Sequence, residues 1–549
     1  MKTVVFDNQE YQLSDEGNTR DLAGQILGDD YRKVLGGKVK NEIYHLKKSL
    51  PYGEAVDFVT IESGEGYRIF QQTVSAVFIM ACRELFPEHN VHIQHSLGSG
   101  LYAELEGDAS FTFKSIELLE KKMQEIIDAD YEIDRQKMDA SIAYNLFENF
   151  NYMDKIRLYQ SVDAKKLTVY NIEGHIDTFN GYLAASTGYV NCFKLKYYYP
   201  GVLIFFPDKS HSNSIPPYKD LKKLSKIFDE TNDWMRILGL SDLGSMNLKL
   251  KKGRAEELIR VAEALHEKKI ASIADMINKD SDVHLILIAG PSSSGKTTFA
   301  ERLAMQLKVL GLAPILISAD NYFLNRKDTP KNEDGSYDYE SLRALDVEAL
   351  NRDIISLLEG EEVRLPVYNF ITGEKEYPEN STRLEKGNMI ICEGIHSLNP
   401  EMTPLIPNKN KFKVYISALT QLNLDGHNRI STTESRLLRR MIRDNTHRGN
   451  PPEKTLEMWN SVRAGEEANI FPYQEEADVM FNSALMYELA VLKKYALPLI
   501  QGIDNTSPYF GKMKKIIKFL SYFVDITEEE ERHIPRNSLL REFIGFKNI

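Results

Sequence analysis

The feature that most constrains the fold is a glycine-rich motif between an apolar run and a helical pattern. The motif is Gly290-Pro291-Ser292-Ser293-Ser294-Gly295-Lys296-Thr297, and it matches G-x-x-x-x-G-K-[ST] in full. His284–Ala289, which precedes it, is apolar, and a helical pattern runs from Thr298 to Leu307. This order of strand, phosphate-binding loop and helix predicts an α/β domain with a parallel sheet and helices on both faces.

Each part of this motif has a role in holding phosphate. The glycines allow a tight loop whose backbone N–H groups point inward, and the following helix adds the favourable end of its dipole. Lys296 would neutralise the β- and γ-phosphates, and the hydroxyl of Thr297 would be a ligand of Mg²⁺. The sequence therefore predicts ATP with Mg²⁺. The predicted nucleotide-binding residues are Gly290, Ser292, Ser293, Ser294, Gly295, Lys296, Thr297 and Thr298.

Two carboxylates are expected beside this loop. Asp320 follows the apolar strand Pro314–Ser318, and the carboxyl ends of parallel strands face the ligand crevice. There it would accept the proton of an attacking hydroxyl, although a helix or turn cap is the alternative. Glu393 ends the apolar strand that begins at Met389, a Walker-B pattern, and would hold Mg²⁺ directly or through water.

From this point the chain resembles the phosphoribulokinase/uridine kinase family. Residues 317–323, Ile-Ser-Ala-Asp-Asn-Tyr-Phe, are similar to its S-x-D-x-F/Y-Y element, which implies that Asp320 is the catalytic base. The stretch 337–346 resembles N-F-D-x-P-x-A-x-D and implies a ribose contact by Glu340. Residues 365–370 resemble P-x-Y-D-F, so Tyr368 and Phe370 would wall a base pocket, with core packing as the alternative. Gly373 stands where uridine–cytidine kinases have a base-reading histidine.

The segment 436–444 resembles the family's R-L-x-R-R-x-x-R-D lid, and Arg-Gly follows at 448–449. The resemblance implies catalytic phosphate contacts by Arg439, Arg440 and Arg443, together with Lys296, and a substrate contact by Arg436. A solvated helix face is the alternative for such a charge run. Motifs of this family follow one another in order across residues 281–505.

Composition narrows the class of protein. A length of 549 residues predicts two to four domains, and a net charge of −12 argues against binding to long duplex nucleic acid. RNA contact by the front half is not expected, although a local basic patch would allow it. The three cysteines are far apart, so neither a disulfide framework nor a zinc site is predicted. The start of the chain has no secretory pattern and no apolar run approaches about 20 residues, so a cytoplasmic, membrane-free protein is expected.

Two stretches of the front half, Arg83-Glu84-Leu85-Phe86-Pro87 and Ser186-Thr187-Gly188-Tyr189-Val190, resemble the front of threonyl-tRNA synthetases. Residues 1–62 are similar to a TGS domain of β-grasp type, and residues 63–225 to an α+β editing domain. The metal-binding and editing positions of that domain fall on Gln72, Ala76, Phe179 and Leu183, so loss of editing is predicted. A helical connector is expected over 226–280, the kinase-like domain over 281–505, and a helical, docking tail over 506–549.

Three functions are compatible with these motifs. The first is an ATP-dependent kinase that phosphorylates the 5′-hydroxyl of a nucleoside, with a uridine-like nucleoside as the expected acceptor. The second acts on another hydroxylated metabolite, and the third is a nucleotide sensor with an RNA- or ribosome-associated front half. Relatives of the family are often oligomers, which makes a homo-oligomer an expectation by analogy.

Overall fold

The protein is described by a computed structural model, which covers residues 1–107, 109–332, 335–420 and 422–546. The first 62 residues form two small antiparallel sheets around one helix. One sheet pairs β1 with β2, and the other has the strand order β4-β3-β5. The elements are β1 (Lys2–Phe6), β2 (Gln9–Leu13), α1 (Thr19–Leu27), β3 (Gly36–Val39), β4 (Glu42–Tyr44) and β5 (Asp57–Val59).

The next region is α+β. Its long first helix is buried along most of its length and packs on antiparallel sheets with strand orders β11-β12-β7-β6 and β10-β9-β8. The elements are α2 (Gly64–Leu85), β6 (Val91–Leu97), β7 (Gly100–Leu105), α3 (Phe113–Asp128), β8 (Asp134–Asp139), α4 (Ala140–Asn149), α5 (Met153–Ser161), β9 (Lys166–Ile172), β10 (His175–Asp177), β11 (Lys194–Tyr198) and β12 (Gly201–Phe205). Three helices follow: α6 (Lys222–Leu238), α7 (Leu243–Lys251) and α8 (Ala255–Asn278).

The remaining part is built on a five-stranded parallel sheet with the order β14-β19-β13-β20-β21. Its central strand, Leu285–Ala289, is buried on both faces, as expected of a continuous apolar run in a parallel sheet. The sheet and its helices are β13 (Leu285–Ala289), α9 (Lys296–Val309), β14 (Ile315–Ser318), α10 (Val347–Leu358), β19 (Ile390–Glu393), β20 (Lys411–Ser417), α11 (Thr432–Arg448), α12 (Pro452–Asn469), β21 (Val479–Asn482) and α13 (Glu488–Ile500). Short pairs join β15 (Glu362–Val363) to β18 (Thr382–Arg383) and β16 (Val367–Asn369) to β17 (Glu374–Glu376).

The chain ends in three helices, α14 (Phe510–Leu520), α15 (Glu528–Glu531) and α16 (Arg541–Ile544). The C-terminal segment 534–546 is not peripheral: Leu539 packs with Phe299 and Leu303 of α9 in the core beneath the parallel sheet. Among the described residues, no helix combines the length and apolarity needed to span a bilayer.

The predicted fold class is confirmed. An α/β sheet of parallel strands carries helices, and small antiparallel modules precede it. The domain boundaries at 62, 225, 280 and 505 stay predictions.

Candidate active site

The phosphate-binding loop joins the carboxyl end of β13 to the start of α9. At Gly290 an added Cβ would lie 2.0 Å from the carbonyl oxygen of Ile416 on β20, so the loop can only approach the sheet this closely with glycine. Gly295 has φ +84° and Ser293 has φ +60°, which turns the backbone sharply before the helix. The hydroxyls of Ser293 and Ser294 are buried without a hydrogen-bond partner among the described residues. The loop therefore has hydrogen-bond donors that no group in the described ranges uses and that suit a bound anion.

Lys296 and Thr297 begin α9 at the rim of this cradle. The Lys296 ammonium folds back over the loop, where its Nζ donates to the carbonyl of Gly290 at 3.1 Å. Burial lowers the pKa of Lys296, and the charges of Glu393 and Asp320 oppose that shift. The hydroxyl of Thr297 donates to Oε1 of Glu393 at 3.3 Å. The lysine thus stays within reach of an anion in the loop.

Glu393 ends β19, between the strands that lead to the loop and to Asp320. It is buried and also accepts a hydrogen bond from the hydroxyl of Ser318 at 2.8 Å. Burial, reinforced by the charge of Asp320, raises the pKa of Glu393 to about 7, while Lys296 acts in the opposite direction. Thr297 and Glu393 together offer a hydroxyl and a carboxylate oxygen, the ligand types that Mg²⁺ accepts beside phosphate and water. No group of three or more His, Cys, Asp or Glu side chains suited to a metal occurs in the described part of the chain.

Asp320 lies just past β14, in the turn Ala319–Tyr322, and is half-buried. Its charge acts on Lys296, Glu340 and Glu393, so the fold brings these four predicted residues together. Burial raises the pKa of Glu340 to about 7; Arg440 opposes this shift and Asp320 adds to it. Glu340 and Glu393 therefore both have a pKa raised to about 7.

Two of the lid arginines face the loop from α11. Arg440 donates through Nη1 to the hydroxyl of Ser292 at 2.7 Å and through Nε to Asp444 at 3.2 Å. Arg443 reaches Oε1 of Glu542, in the C-terminal segment, at 3.4 Å. Both guanidinium groups are mostly buried but not saturated, so each retains donors for a phosphate.

The other two lid arginines donate hydrogen bonds to backbone carbonyls of the loop. Arg436 is buried, donates to the carbonyl of Ser292 at 3.1 Å and pairs with Glu466. Arg439 is fully buried, donates to the carbonyl of Ser293 at 3.3 Å and pairs with Glu488. Their predicted substrate and catalytic contacts stay predictions, and the contacts made here are those of positioning residues.

An aromatic cluster stands on the acceptor side. Tyr368 and Phe370 have ring centroids 5.1 Å apart, and Phe323 lies 5.6 Å from Tyr368 and 6.3 Å from Phe370. Tyr368 is buried, whereas Phe370 is 56% exposed. Tyr339 completes the cluster at 6.2 Å from Phe323. Tyr368 and Phe323 belong to a buried apolar cluster, whereas the ring of Phe370 is open to solvent and presents a stacking surface.

Gly373 lies against the side chain of an arginine. Gly373 has φ +76°, and an added Cβ would lie 2.7 Å from Nε of Arg326. The guanidinium of Arg326 donates to the carbonyl of Phe370 at 3.0 Å. Any side chain at 373 would displace Arg326, which explains the glycine.

Three carboxylates that complete the site were not predicted from the sequence. Glu466 accepts from the backbone N–H of Ser292 at 3.1 Å, Glu488 pairs with Arg439, and Glu542 accepts from the hydroxyl of Thr298 at 3.0 Å. None lies in a recognisable motif, because each arrives from a distant helix. A long-range contact of this kind leaves no local signal.

In the front half, the four residues predicted to stand at the editing positions are largely buried. Ala76 and Phe179 line a cavity of about 20 Å³, which has room for roughly one water molecule. Gln72 donates to the carbonyl of Asn180 at 3.1 Å, and Leu183 is fully buried. The predicted loss of editing stays a prediction.

Comparison with known proteins agrees with both halves. Residues 285–489 match the model of the "Phosphoribulokinase / Uridine kinase family". The N-terminal region is similar to threonine–tRNA ligases: 28% identity over 195 residues with that of Geobacter sp. (strain M21), covering 36% of this chain and 31% of the relative, and 27% over 189 residues with that of Pelobacter propionicus, covering 34% and 30%. The chain thus spans about a third of the length of these curated relatives.

Two solved structures are also similar. A "Possible Uridine Kinase from Bacillus stearothermophilus" is 20% identical, with 36% of this chain and 89% of that chain covered and a TM-score of 0.25. The D-glycerate 3-kinase of Cryptococcus neoformans is 14% identical, with 50% and 88% covered and a TM-score of 0.20. The family match, taken with the loop and its carboxylates, identifies the C-terminal part of this chain as a P-loop kinase domain of the phosphoribulokinase/uridine kinase family, behind a region similar to threonine–tRNA ligases.

Proposed function

We propose that the protein transfers the γ-phosphoryl group of ATP to the 5′-hydroxyl of a nucleoside. The observation that carries this proposal is the exposed aromatic surface of Phe370 and its neighbours on the same side of the sheet as Asp320. A nucleobase is a flat group that stacks on such a surface, and its ribose would then lie toward the carboxylates. Glu340 is the candidate ribose contact.

The chemistry follows from the residues around the loop. Asp320 would accept the proton of the attacking hydroxyl as its oxygen bonds to phosphorus and the bond to the ADP oxygen breaks. Lys296, Arg440 and Arg443 would stabilise the charge on the transferred group, and the backbone of 290–295 would fix its position. Thr297 and Glu393 are the candidate ligands of Mg²⁺, which when bound supplies further charge neutralisation. The loose transition state makes positioning and electrostatics the main contributions.

A second acceptor class is supported by Arg326. Its guanidinium lies beside Phe370, where the resemblance places an imidazole. A guanidinium offers only N–H donors in a planar fork, whereas a neutral imidazole offers one donor and one acceptor, so the two groups recognise different acceptor molecules. A hydroxylated metabolite other than a pyrimidine nucleoside is therefore the alternative acceptor for the same phosphotransferase.

The test is ATP consumption by the purified full-length protein with Mg²⁺ across a panel of nucleosides and other hydroxylated metabolites. Lys296→Ala is the control for background hydrolysis. Asp320→Asn keeps the shape of the side chain and removes its basicity, so we expect ATP binding without transfer. Turnover only with non-nucleosides would show that the acceptor is another hydroxylated metabolite. ATP binding without turnover of any acceptor would favour a nucleotide sensor.

A further inference from the structure

The C-terminal segment 534–546 places a carboxylate inside the nucleotide site. Glu542, on α16, accepts a hydrogen bond from the hydroxyl of Thr298 at 3.0 Å through Oε2. Its other oxygen, Oε1, accepts from Nη1 of Arg443 at 3.4 Å. Thr298 lies in the first turn of α9 and Arg443 on the lid helix, so Glu542 joins two elements that the kinase chemistry uses.

The segment is anchored directly against the phosphate-binding loop. An added Cβ on Gly295 would lie 3.0 Å from Cδ2 of Leu539 and 3.9 Å from Oε2 of Glu542. The guanidinium of Arg439 lies 4.9 Å from the ring centroid of Phe543. Leu539 and Phe543 are fully buried, so the two residues that flank Glu542 hold it beside the loop.

The position of Glu542 is one that suits an anion. The amino-terminal end of a helix attracts negative charge, and a hydroxyl and a guanidinium converge on the carboxylate from two sides. The same features attract the phosphates of a nucleotide, which also need the first turn of α9. Two anions cannot share these donors at close range without strong repulsion.

We propose that Glu542 is a further residue of the nucleotide site, a carboxylate that occupies an anion position between Thr298 and Arg443 and is displaced when nucleotide phosphate binds. This inference rests on the proposed use of ATP but not on the identity of the acceptor. Displacement releases Arg443, so binding of the nucleotide and freeing of a lid arginine are one event. The buried side chain of Leu539 keeps the start of the segment beside the loop, while the short helix α16 loosens and the carboxylate of Glu542 turns away.

The inference predicts an affinity change. If a self-bound state must open before the nucleotide enters, the apparent dissociation constant is raised by the reciprocal of the open fraction. Glu542→Gln keeps the size of the side chain and removes its charge, so the variant should bind MgATP about tenfold more tightly than the wild type. The matched control is Glu529→Gln, which makes the same charge change at an exposed position of the preceding helix and should leave the affinity unchanged.

The experiment is calorimetric titration of MgATP into the full-length wild type and both variants, with no acceptor present. Equal affinities, or weaker binding by Glu542→Gln, would overturn the proposal, and weaker binding would make the carboxylate a nucleotide ligand instead. A second measurement needs no substitution: hydrogen exchange of residues 541–546 in the wild type should rise when MgATP is added, and unchanged exchange would contradict displacement. If no acceptor is phosphorylated but Glu542→Gln still binds MgATP more tightly than the wild type, the proposed nucleoside kinase activity is wrong and this inference is supported.

Discussion

Replacing Lys155 by methionine tests how firmly the front half is joined to the kinase part. Lys155, on α5, is fully buried, and its Nζ lies 2.8 Å from Oδ1 of Asp177 and 2.9 Å from Oδ1 of Asp425. Asp177 ends β10, whereas Asp425 belongs to the segment that leads into the lid helix α11. Methionine would leave two buried carboxylates without their shared cation. Breaking a buried ion pair in this way costs about 3–5 kcal/mol.

The whole of this contribution is present near neutral pH. Burial disfavours the charge of Lys155, but Asp177 and Asp425 outweigh it and raise the pKa of Lys155 well above its ordinary value. A group whose pKa rises on folding stabilises the protein fully below its unfolded pKa, and this stability is lost as the pH rises through the folded pKa. Measurements at about pH 7.5 therefore see the full effect, because the unfolded lysine titrates near 10.4.

The assay is equilibrium unfolding in urea, followed by tryptophan fluorescence. Trp459 is buried in the same apolar cluster as Leu158 of α5 and Leu424, which neighbours Asp425, so its emission reports on this region. Urea slopes are typically about 1–3 kcal/mol per molar, so a loss of about 3–5 kcal/mol should move the transition that Trp459 follows down by about 1–5 M.

The control is Lys251→Met. Lys251 pairs with Asp163 at the same 2.9 Å, but both side chains are exposed, so its loss should cost at most about 1 kcal/mol. Lys155→Met combined with Asp425→Asn should recover part of the lost stability, since one unpaired charge is removed. A loss below about 1 kcal/mol in Lys155→Met would refute the reasoning, because it would mean that the carboxylates find solvent or other partners without cost.

Two further predictions concern the candidate active site. Glu393 has a pKa of about 7 in the free protein and must be ionised to hold a cation, so Mg²⁺ affinity should rise with pH through about 7; Glu393→Gln should abolish most of this pH dependence in a Mg²⁺ titration between pH 6 and 8. A wild-type affinity that is flat over this range would contradict the assignment. Arg440→Lys keeps the charge but loses the planar fork that spans Ser292 and Asp444, so kcat should fall by about 100-fold or more with a smaller change in the KM for ATP. Steady-state kinetics with the best acceptor would measure both, and an unchanged kcat would place Arg440 outside the reaction.

Motifs made of neighbouring residues could be recognised from the sequence because the backbone geometry that they require involves only a few consecutive residues. Gly290 and Gly295 are required by the backbone geometry of the loop, and Lys296 and Thr297 follow at fixed positions on the first turn of the helix. Asp320 and Glu393 each close an apolar strand of the parallel sheet, so the topology of such a sheet was enough to bring them to one edge. The aromatic residues near 368–370 were also apparent, but their exposure was not.

The different contacts made by the four lid arginines could not be predicted from their spacing in the sequence. Arg436, Arg439, Arg440 and Arg443 share one helix, yet Arg436 and Arg439 pair with buried glutamates from α12 and α13, whereas Arg440 donates to Ser292 of the loop. Which arginine meets which glutamate depends on how three helices pack. Packing is decided by the sum of many weak contacts, and no single position carries that information.

Residue order alone was enough to predict the phosphate-binding loop, the parallel sheet and the carboxylates at its edge, because hydrogen-bonding geometry and strand order act over a few residues at a time. The packing of distant segments was needed to show that Lys155 joins β10 to the segment before the lid, and that Glu542 reaches Thr298 from 244 positions along the chain. Such pairs form because burying the apolar residues beside them brings the charges together, and a charge left in a core must find a partner. That requirement acts through space, and the order of residues along the chain does not reveal it.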